Sequence, residues 1–179
     1  LRPIERGGYR EIVEYLSDLN MPFIDKDGTF TGQFDDQKYK LLSDYNQINI
    51  DELKLMAVNC HKCELSKTRN KVVFGEGSTN ARVMIIGEAP GKDEDLSGEP
   101  FVGRAGKLLT EILFSMNLTR ENVYITNTVK CRPPENRNPN SNEISSCSSY
   151  LDQQINLISP NVIILLGKVA AERLMNTPE

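Results

Sequence analysis

The sequence predicts an α/β fold with three layers, in which helices cover both faces of a central parallel sheet of about four strands. Short runs rich in β-branched residues alternate along the chain with segments whose apolar residues recur at helical spacing. Each run is followed by a loop and then by a helical segment. Strands that alternate with helices in this way form parallel sheets, because each connecting helix crosses back over one face of the sheet.

Three strands can be placed from their apolar runs, at residues 82–87, 123–127 and 162–167. The first run is almost wholly apolar and ends in glycine, as a strand buried on both faces does. In open α/β sheets, ligands bind beyond the carboxyl ends of the strands, which here are Gly87, Asn127 and Gly167. We therefore expect the functional site near these three residues.

Helical segments are predicted after the strands, at residues 103–116, 142–158 and 168–175. In the first of these, the spacing predicts a buried face made of Leu108, Leu109, Ile112, Leu113 and Met116. A shorter helix at residues 52–58, capped by Asp51, is expected to lead the chain to Cys60.

Residues 1–52 form an extension that differs from the rest of the chain and is expected to be mainly helical. Helices are predicted at residues 9–19 and 36–46, with a short hairpin around Asp27 and Gly28 between them. Residues 53–179 then form the α/β domain. Nothing in the sequence assigns a role to the extension.

Composition indicates one ordinary globular domain with an appendage. The chain has 179 residues, of which 39% are hydrophobic. Its net charge of −4 arises in residues 1–59, which hold 7 Lys and Arg against 11 Asp and Glu. The balanced remainder can still present a basic face to nucleic acid. No apolar run has membrane-spanning length and the first residues do not resemble a secretory signal, so we expect a cytoplasmic protein with no membrane partner.

The cysteines are candidates for a metal centre, and they are Cys60, Cys63, Cys131 and Cys147. The CxxC pair puts two thiolates on one tight turn, where backbone N–H groups can donate to sulfur. The wide gap between the other two argues against a zinc ribbon. A structural zinc site, a redox dithiol and unrelated buried cysteines remain alternatives, and the spacing alone favours zinc and iron–sulfur about equally. His61, the single histidine, is interpreted as an exposed loop residue.

The loop GEAPGKDED at residues 87–95 lies where a parallel sheet places its chemistry. Its glycines permit tight turns, and its carboxylates stand near the electropositive start of the helix predicted from Gly103. The loop has neither the Lys-Ser/Thr ending of a P-loop nor a GxGxxG pattern, which argues against phosphate transfer.

Taken in order, the motifs resemble those of the type 4 uracil-DNA glycosylases, the iron–sulfur members of the uracil-DNA glycosylase superfamily. The resemblance runs from about residue 60 to the end, two thirds of the chain. It rests on CxxC at 60–63, VVFGEG at 72–77, GEAPGKDED at 87–95, GEPFVGRAG at 98–106, NTVKCRPP at 127–134, Asn136-Arg137 and Cys147.

The resemblance implies a structural [4Fe–4S] cluster held by Cys60, Cys63, Cys131 and Cys147. It also implies a DNA glycosylase of base excision repair, which hydrolyses the N-glycosidic bond of deoxyuridine in DNA. The expected partner is uracil-containing DNA, and the nucleotide must be flipped out because the bond cannot be reached within the stack. The oligomeric state stays open, with a monomer favoured.

The same resemblance implies roles for residues of the base pocket. Phe101 is expected to stack on the uracil face, and Asn127 to pair with uracil O4 and N3–H. Glu88 and Ala89 are expected to line the pocket. Either Glu88 or Glu94 is expected to be the carboxylate that positions water or stabilises the cation-like sugar.

Polar residues beside Cys131 are expected to meet the DNA backbone, and they are Lys130, Arg132, Asn136 and Arg137. Cationic and amide side chains of this kind are the usual contacts to phosphate oxygens. The alternative interpretation is a solvated charged surface.

The sequence departs from the family at its end. Members of the family continue with a further strand and with a loop that carries a His-Pro pair, whereas this chain ends at Glu179. Because the initiator Met is also missing, we expect a C-terminally incomplete domain from a larger protein, such as a glycosylase-like module fused to a phage DNA polymerase. In the family, the histidine of this pair stabilises the negative charge on the departing uracil. Loss of one such hydrogen-bond donor costs about two to three orders of magnitude in rate. The alternative function is therefore a weak or inactive uracil- or DNA-recognition domain of a replication protein.

Overall fold

The structure is a computed structural model that describes residues 48–175 together with the backbone of two short strands. These strands, β1 (Phe23–Ile24) and β2 (Phe30–Thr31), pair antiparallel and confirm the predicted hairpin. The helices predicted at residues 9–19 and 36–46 lie outside the described residues. The chain divides into two units, Leu1–Gln47 and Ile48–Glu179, a few residues before the boundary expected from the sequence.

A four-stranded sheet forms the centre of the second unit, with the strand order β3-β5-β4-β6. Its strands are β3 (Glu76–Gly77), β4 (Val83–Gly87), β5 (Tyr124–Asn127) and β6 (Val162–Leu165). The central strand β4 runs parallel to β5 and to β6. These are the three strands expected from the apolar runs, and the predicted α/β class is confirmed.

The edge strand β3 was not revealed by any apolar run, because it is only two residues long. It pairs antiparallel with β5, so the sheet is mixed rather than wholly parallel. Glycine makes this pairing possible, since a Cβ atom on Gly77 would lie 1.9 Å from the carbonyl oxygen of Val123. Gly77 also has a φ of +117°, which glycine adopts far more readily than other residues.

Helices connect the strands and pack around the sheet. They are α1 (Ile50–Val58), α2 (Lys92–Ser97), α3 (Arg104–Ser115), α4 (Ser141–Ile158) and α5 (Lys168–Met175). Short 3-10 turns span Glu64–Lys67 and Pro134–Asn136. None of the helices in the part of the chain that the structure describes has the length and apolar composition needed to cross a bilayer.

Both faces of the sheet are covered, which confirms the three predicted layers. Successive side chains of a strand point to opposite faces. On one face, Met84 and Ile86 of β4 pack in a buried cluster with Leu151 of α4. On the other face, Ile85 packs in a separate cluster with Leu109 of α3.

The buried stripe of α3 is narrower than its sequence predicted. Leu109 and Leu113 are buried as expected. The other three apolar residues are largely exposed, with exposed fractions of 58% for Leu108, 46% for Ile112 and 46% for Met116. Only the row of Gly106, Leu109 and Leu113 is buried, so the wide apolar face predicted for this helix was wrong.

Helix α1 begins earlier than expected, and Asn49 rather than Asp51 is its cap. The Oδ1 atom of Asn49 accepts from the N–H groups of Asp51 and Glu52, each at 3.0 Å. The Glu52 carboxylate in turn accepts from the Asn49 N–H at 2.9 Å, which completes a capping box. The predicted cap was therefore wrong by two residues. The helix ends at Val58, two residues before Cys60.

Candidate active site and metal centre

The four cysteines converge on one pocket, although they come from three distant parts of the chain. Cys60 and Cys63 lie on the turn after α1, Cys131 follows β5, and Cys147 lies on α4. All four are free thiols, and they share the pocket with Arg69, Lys130 and Tyr150, among others. Predicted ligands that were up to 87 residues apart are thus brought together.

Nitrogen donors surround the sulfur atoms. The Arg69 guanidinium donates to Cys131 Sγ at 3.3 Å, and the backbone N–H of Lys130 donates to Cys147 Sγ at 3.3 Å. The N–H of Lys62 donates to Cys60 Sγ at 3.5 Å. Donors of this kind stabilise sulfur in its charged form, which is the form that binds metal.

Burial acts on these thiols in the opposite direction. It raises the pKa of Cys131 to about 11, and it also raises the pKa of Cys147. Without a metal these two cysteines are therefore protonated at neutral pH. Among the described residues, no three His, Cys, Asp or Glu side chains lie close enough together to hold a single metal ion. The donor set is four thiols arranged around a shared space.

A second constellation lies at the carboxyl ends of the neighbouring parallel strands β4 and β5. Gly87 and Asn127 end these strands in register with each other. A Cβ atom on Gly87 would lie 2.5 Å from Asn127 Oδ1 and 2.5 Å from Cζ of the Phe101 ring. The amide and the ring therefore approach the same point, which they can do only because Gly87 has no side chain. This is the edge of the sheet where the sequence predicted the site.

The Asn127 side chain carries an unused hydrogen-bond acceptor. Asn127 is 2% exposed, and its Oδ1 atom is the one buried side-chain oxygen or nitrogen, within the residues the structure describes, that has no partner. Leaving such an atom unpaired costs about 1–3 kcal/mol. Unsatisfied buried groups in native proteins call for a physical reason, and a ligand that supplies the missing donor is one.

The Phe101 backbone is held in an uncommon conformation. Its φ of +54° lies in the left-handed region, which costs an aromatic residue of order 1–3 kcal/mol. The following two N–H groups, of Val102 and Gly103, donate to Glu94 Oε1 at 2.9 Å and 2.8 Å. Glu94 Oε2 also accepts from the N–H of Gly91 at 3.1 Å. Glu94 therefore ties the loop that carries Phe101 to the start of α2.

Glu88 has a different environment from Glu94. It is half-buried directly after β4, and loss of solvent raises its pKa above the usual value for a glutamate. Its neighbour Ala89 packs against the buried cluster around Leu65, Val129 and Cys131. Ala89 thus lies between the cysteine pocket and the ends of the strands.

Lys130 is inside the protein, which corrects the prediction that it contacts DNA. It is 2% exposed, and its ammonium group donates to Thr126 Oγ1 and to the carbonyl oxygen of Asn127, both at 2.7 Å. Burial lowers its pKa to about 8. A buried ammonium group offers nothing to a phosphate at the surface, and this one instead anchors the end of β5.

The other three residues predicted to meet DNA lie on the loop between β5 and α4. Arg132 donates from Nε to Asn136 Oδ1 at 2.7 Å. Arg137 forms a two-pronged ion pair with buried Glu143, at 2.9 Å and 2.7 Å. His61 is exposed, as expected. The loop is braced from within, and its part in binding DNA stays a prediction.

Sequence reasoning missed the Arg120 side chain, which reaches the backbone of Phe101 and Pro100. It also left Glu94 among the catalytic candidates. Neither role leaves a local signal, because Arg120 and Phe101 are 19 residues apart and the bonds of Glu94 are made to backbone N–H groups.

The chain is similar in sequence to known uracil-DNA glycosylases. A family model described as the uracil DNA glycosylase superfamily matches residues 74–177. The chain is 52% identical over 128 residues to the type-4 uracil-DNA glycosylase of Archaeoglobus fulgidus, a match that covers 72% of this chain and 64% of that protein. It is 50% identical over 128 residues to the type-4 uracil-DNA glycosylase of Pyrobaculum aerophilum, covering 72% and 65%.

A more distant match, 35% identical over 111 residues, joins the chain to a DNA polymerase of Bacillus phage SP01, covering 62% of this chain and 12% of that protein. The chain spans slightly less than two thirds of the length of the two type-4 relatives.

Proposed function

Because the chain belongs to the uracil-DNA glycosylase superfamily, with its similarity to the type 4 members confirmed, we propose that it hydrolyses the N-glycosidic bond of deoxyuridine in DNA. The reaction belongs to base excision repair, and uracil-containing DNA is the substrate. The observation that carries the proposal is the unpaired, buried Oδ1 atom of Asn127 at the point where the Phe101 ring also arrives.

Asn127 fits the hydrogen-bonding edge of uracil. Its Oδ1 atom accepts from uracil N3–H, and its Nδ2 group donates to uracil O4. Cytosine presents the opposite pattern, an acceptor at N3 and a donor at N4, so both bonds would be lost. A site built to pair with a polar edge rejects a base that leaves its buried groups unpaired. The Lys130 ammonium group donates to the backbone carbonyl oxygen of Asn127 and so holds Asn127 in position to pair with the base.

Phe101 supplies the flat surface that a flipped base needs. An aromatic ring against a planar heterocycle adds about 1 kcal/mol beyond the area it buries. That gain offsets part of the cost of unstacking the nucleotide, which is a few kcal/mol. Because the Phe101 ring and the Asn127 amide both approach Gly87, one base can use both at once.

Glu88 is the carboxylate that we assign to the reaction. Both oxygens of Glu94 are already bonded to backbone N–H groups, which leaves it poorly placed to activate water. The desolvated carboxylate of Glu88 is a stronger base than an exposed one. It accepts a proton from water as the water oxygen bonds to C1′ of the sugar and the C1′–N1 bond breaks. The electron pair of that bond leaves with the uracil.

The cysteine pocket suits an iron–sulfur cluster, and we assign a [4Fe–4S] cluster to Cys60, Cys63, Cys131 and Cys147. Four thiols with three N–H donors directed at sulfur match the ligands that such clusters use. A bound cluster supplies a structural cross-link. It would join the turn after α1, the loop after β5 and helix α4, and so fix the segment that leads from Asn127 into the DNA-facing loop.

That loop is the part of the site that we assign to the DNA backbone. Arg132 and Asn136 are bonded to each other, and Arg137 is braced by Glu143 while remaining 45% exposed. The bracing orders the side chains before DNA arrives, which reduces the entropy lost on binding. The match to a phage polymerase is weaker than those to the type-4 enzymes and does not favour a recognition domain without turnover.

The test is release of uracil from an oligonucleotide with a single deoxyuridine, scored as alkali-sensitive abasic product. Asn127→Ala should lower the rate at least about a hundredfold, because it removes both base-pairing groups. Asn161→Ala is the matched control, since Asn161 is exposed and bonded to Arg82 at the amino ends of β6 and β4, opposite the carboxyl ends that carry Asn127 and Gly87. Equal release by wild type and Asn127→Ala would remove the base-reading role.

A further inference from the structure

The side chain of Arg120 joins the loop that carries Phe101 to β3 and α3, and it uses its whole hydrogen-bonding capacity to do so. It is 21% exposed and lies before β5. Its guanidinium donates from Nη1 to the carbonyl oxygen of Phe101 at 3.2 Å and from Nη2 to that of Pro100 at 2.6 Å. Nη1 also reaches Thr110 Oγ1 at 3.4 Å. Nε donates to Glu76 Oε1 at 2.9 Å, and Nη2 donates to the same oxygen. These are five bonds from a group that has five N–H donors.

Glu76 holds Arg120 from the edge of the sheet. It lies on β3, opposite Ile125 of β5, and its side chain is 33% exposed. The close pairing of β3 with β5 at Gly77 sets the position of the Glu76 carboxylate. The two residues are 44 apart in sequence, so this ion pair links the edge strand to the turn before β5. The two-residue edge strand β3 is thereby connected to the loop that carries Phe101.

The carbonyl group of Phe101 is contacted by both α3 and Arg120. A Cβ atom on Gly106 would lie 1.7 Å from the Phe101 oxygen, so α3 packs directly against this peptide group. Arg120 donates to the same oxygen at 3.2 Å. A left-handed backbone conformation of an aromatic residue persists only where its surroundings enforce it. Arg120 and Gly106 are the surroundings that do so here.

We propose that Arg120, oriented by Glu76, is a positioning residue that holds the Phe101 ring where it stacks on the flipped base. The proposal rests on the proposed function and adds to it the group that sets the stacking surface. Arg120 acts through the backbone of Phe101 and does not touch the base. It therefore governs how tightly the extrahelical uracil is held, and it leaves the bond-breaking step to Glu88.

Single-turnover kinetics separate these two effects. Arg120→Met and Glu76→Gln should raise the enzyme concentration at half-maximal rate about fivefold to tenfold, the size expected for loss of one stacking contact. The maximal rate should change less than about twofold, because the interaction is shared by ground state and transition state. Arg82→Met is the matched control, since Arg82 is exposed and its Nε bonds to Asn161. A loss confined to the maximal rate would overturn the proposal.

A double-mutant cycle shows whether Arg120 acts through Phe101. Phe101→Leu removes the ring and should itself raise the half-maximal concentration. In that background, Arg120→Met should add less than about twofold, since no stacking surface remains to be positioned. Independent effects that multiply in full would mean that Arg120 acts by another route, and the proposal would fall.

Hydrogen exchange gives a readout that does not depend on catalysis. In Arg120→Met, the amides of Val102 and Gly103 should exchange at least about tenfold faster, while the amides of Tyr124–Asn127 in β5 keep their protection. Unchanged exchange at residues 102 and 103 would overturn the proposal. Absence of uracil release from every protein, wild type included, would contradict the proposed function instead. The exchange measurement would still test whether Arg120 holds the loop that carries Phe101.

Discussion

Gly87 and Asn127 end neighbouring parallel strands in register, and a Cβ atom on Gly87 would lie 2.5 Å from the Oδ1 atom of Asn127. Real Cβ atoms do not come so close to an oxygen, so one of the two groups would have to move. Asn127 has little freedom to do so, because it is 2% exposed and its backbone is bonded to Lys130. The glycine is therefore a condition for the presence of the amide at this site.

Gly87→Ala should consequently impair uracil excision far more than it impairs folding. The added methyl group meets both the Asn127 amide and the Phe101 ring. We expect the rate to fall at least about fiftyfold, since a misplacement of about 1 Å at a reacting site costs up to a hundredfold. Rates are compared on the deoxyuridine oligonucleotide, and thermal unfolding reports stability. Gly167→Ala provides the control at another strand end, because a Cβ atom there meets nothing within 4 Å. Its positive φ of +98° sets a modest stability cost of its own.

Glu88 and Glu94 can be told apart by replacing each with glutamine. Glu88→Gln removes the proposed base and should lower the maximal rate about a hundredfold or more. Glu94→Gln keeps an oxygen that can accept from Val102 and Gly103, so it should lower the rate less than about fivefold. Single-turnover rates at saturating enzyme make the comparison. The reverse ranking would show that Glu94 is the reacting carboxylate and that the assignment to Glu88 is wrong.

The cysteine pocket predicts iron and sulfide rather than zinc. Protein purified without oxygen should be brown, with close to four iron and four sulfide per chain for a [4Fe–4S] cluster. Cys147→Ser should lose most of the colour, whereas Ser148→Ala, on the same helix, should keep it. Iron, zinc and sulfide analysis with absorption spectra decides the matter. Stoichiometric zinc in a colourless protein would show that the pocket is a structural zinc site and that the assignment of an iron–sulfur cluster is wrong.

The sequence predicted those parts of the molecule that depend on local pattern. Apolar runs located β4, β5 and β6, and motif order brought out the residues that converge at the two sites. The sequence did not predict the role of a side chain where that role depends on a hydrogen-bond partner supplied by the fold. Lys130 sits in a motif that also holds the partly exposed Arg132, yet its ammonium group points inward to Thr126 and Asn127. No local pattern distinguishes a buried lysine from an exposed one when its acceptors are a hydroxyl and a carbonyl group supplied by the fold.

Arg120 and Glu94 show the same limit for interactions with backbone. Their bonds go to carbonyl and N–H groups of the segment 100–103, which every residue type possesses. Such contacts leave no complementary side chain to find in the sequence. The edge strand β3 was missed for a related reason, since two residues are too few to show a period.

The Arg137–Glu143 ion pair makes the stability of the loop between β5 and α4 depend on pH. Glu143 is 3% exposed and accepts from both prongs of Arg137 and from the N–H of Asn140, the cap of α4. The Arg137 hydrogen bonds hold the pKa of Glu143 below its usual value of 4.5. The unfolded chain therefore binds more protons between the folded and the unfolded pKa, and stability rises with pH across that window.

It follows that Glu143 stabilises the protein fully above its unfolded pKa and loses that effect as pH falls through its lower folded pKa. Glu143→Gln keeps an oxygen that can accept from the Asn140 N–H but loses the charge that pairs with Arg137, so it should cost about 1 kcal/mol at neutral pH. The difference from wild type should shrink as pH falls through the folded pKa, since protonation then removes the same charge from wild type. Chemical unfolding of both proteins between neutral and strongly acidic pH measures it. A difference that stays constant over this range would mean that the charge of Glu143 contributes nothing and that only its shape matters at the start of α4.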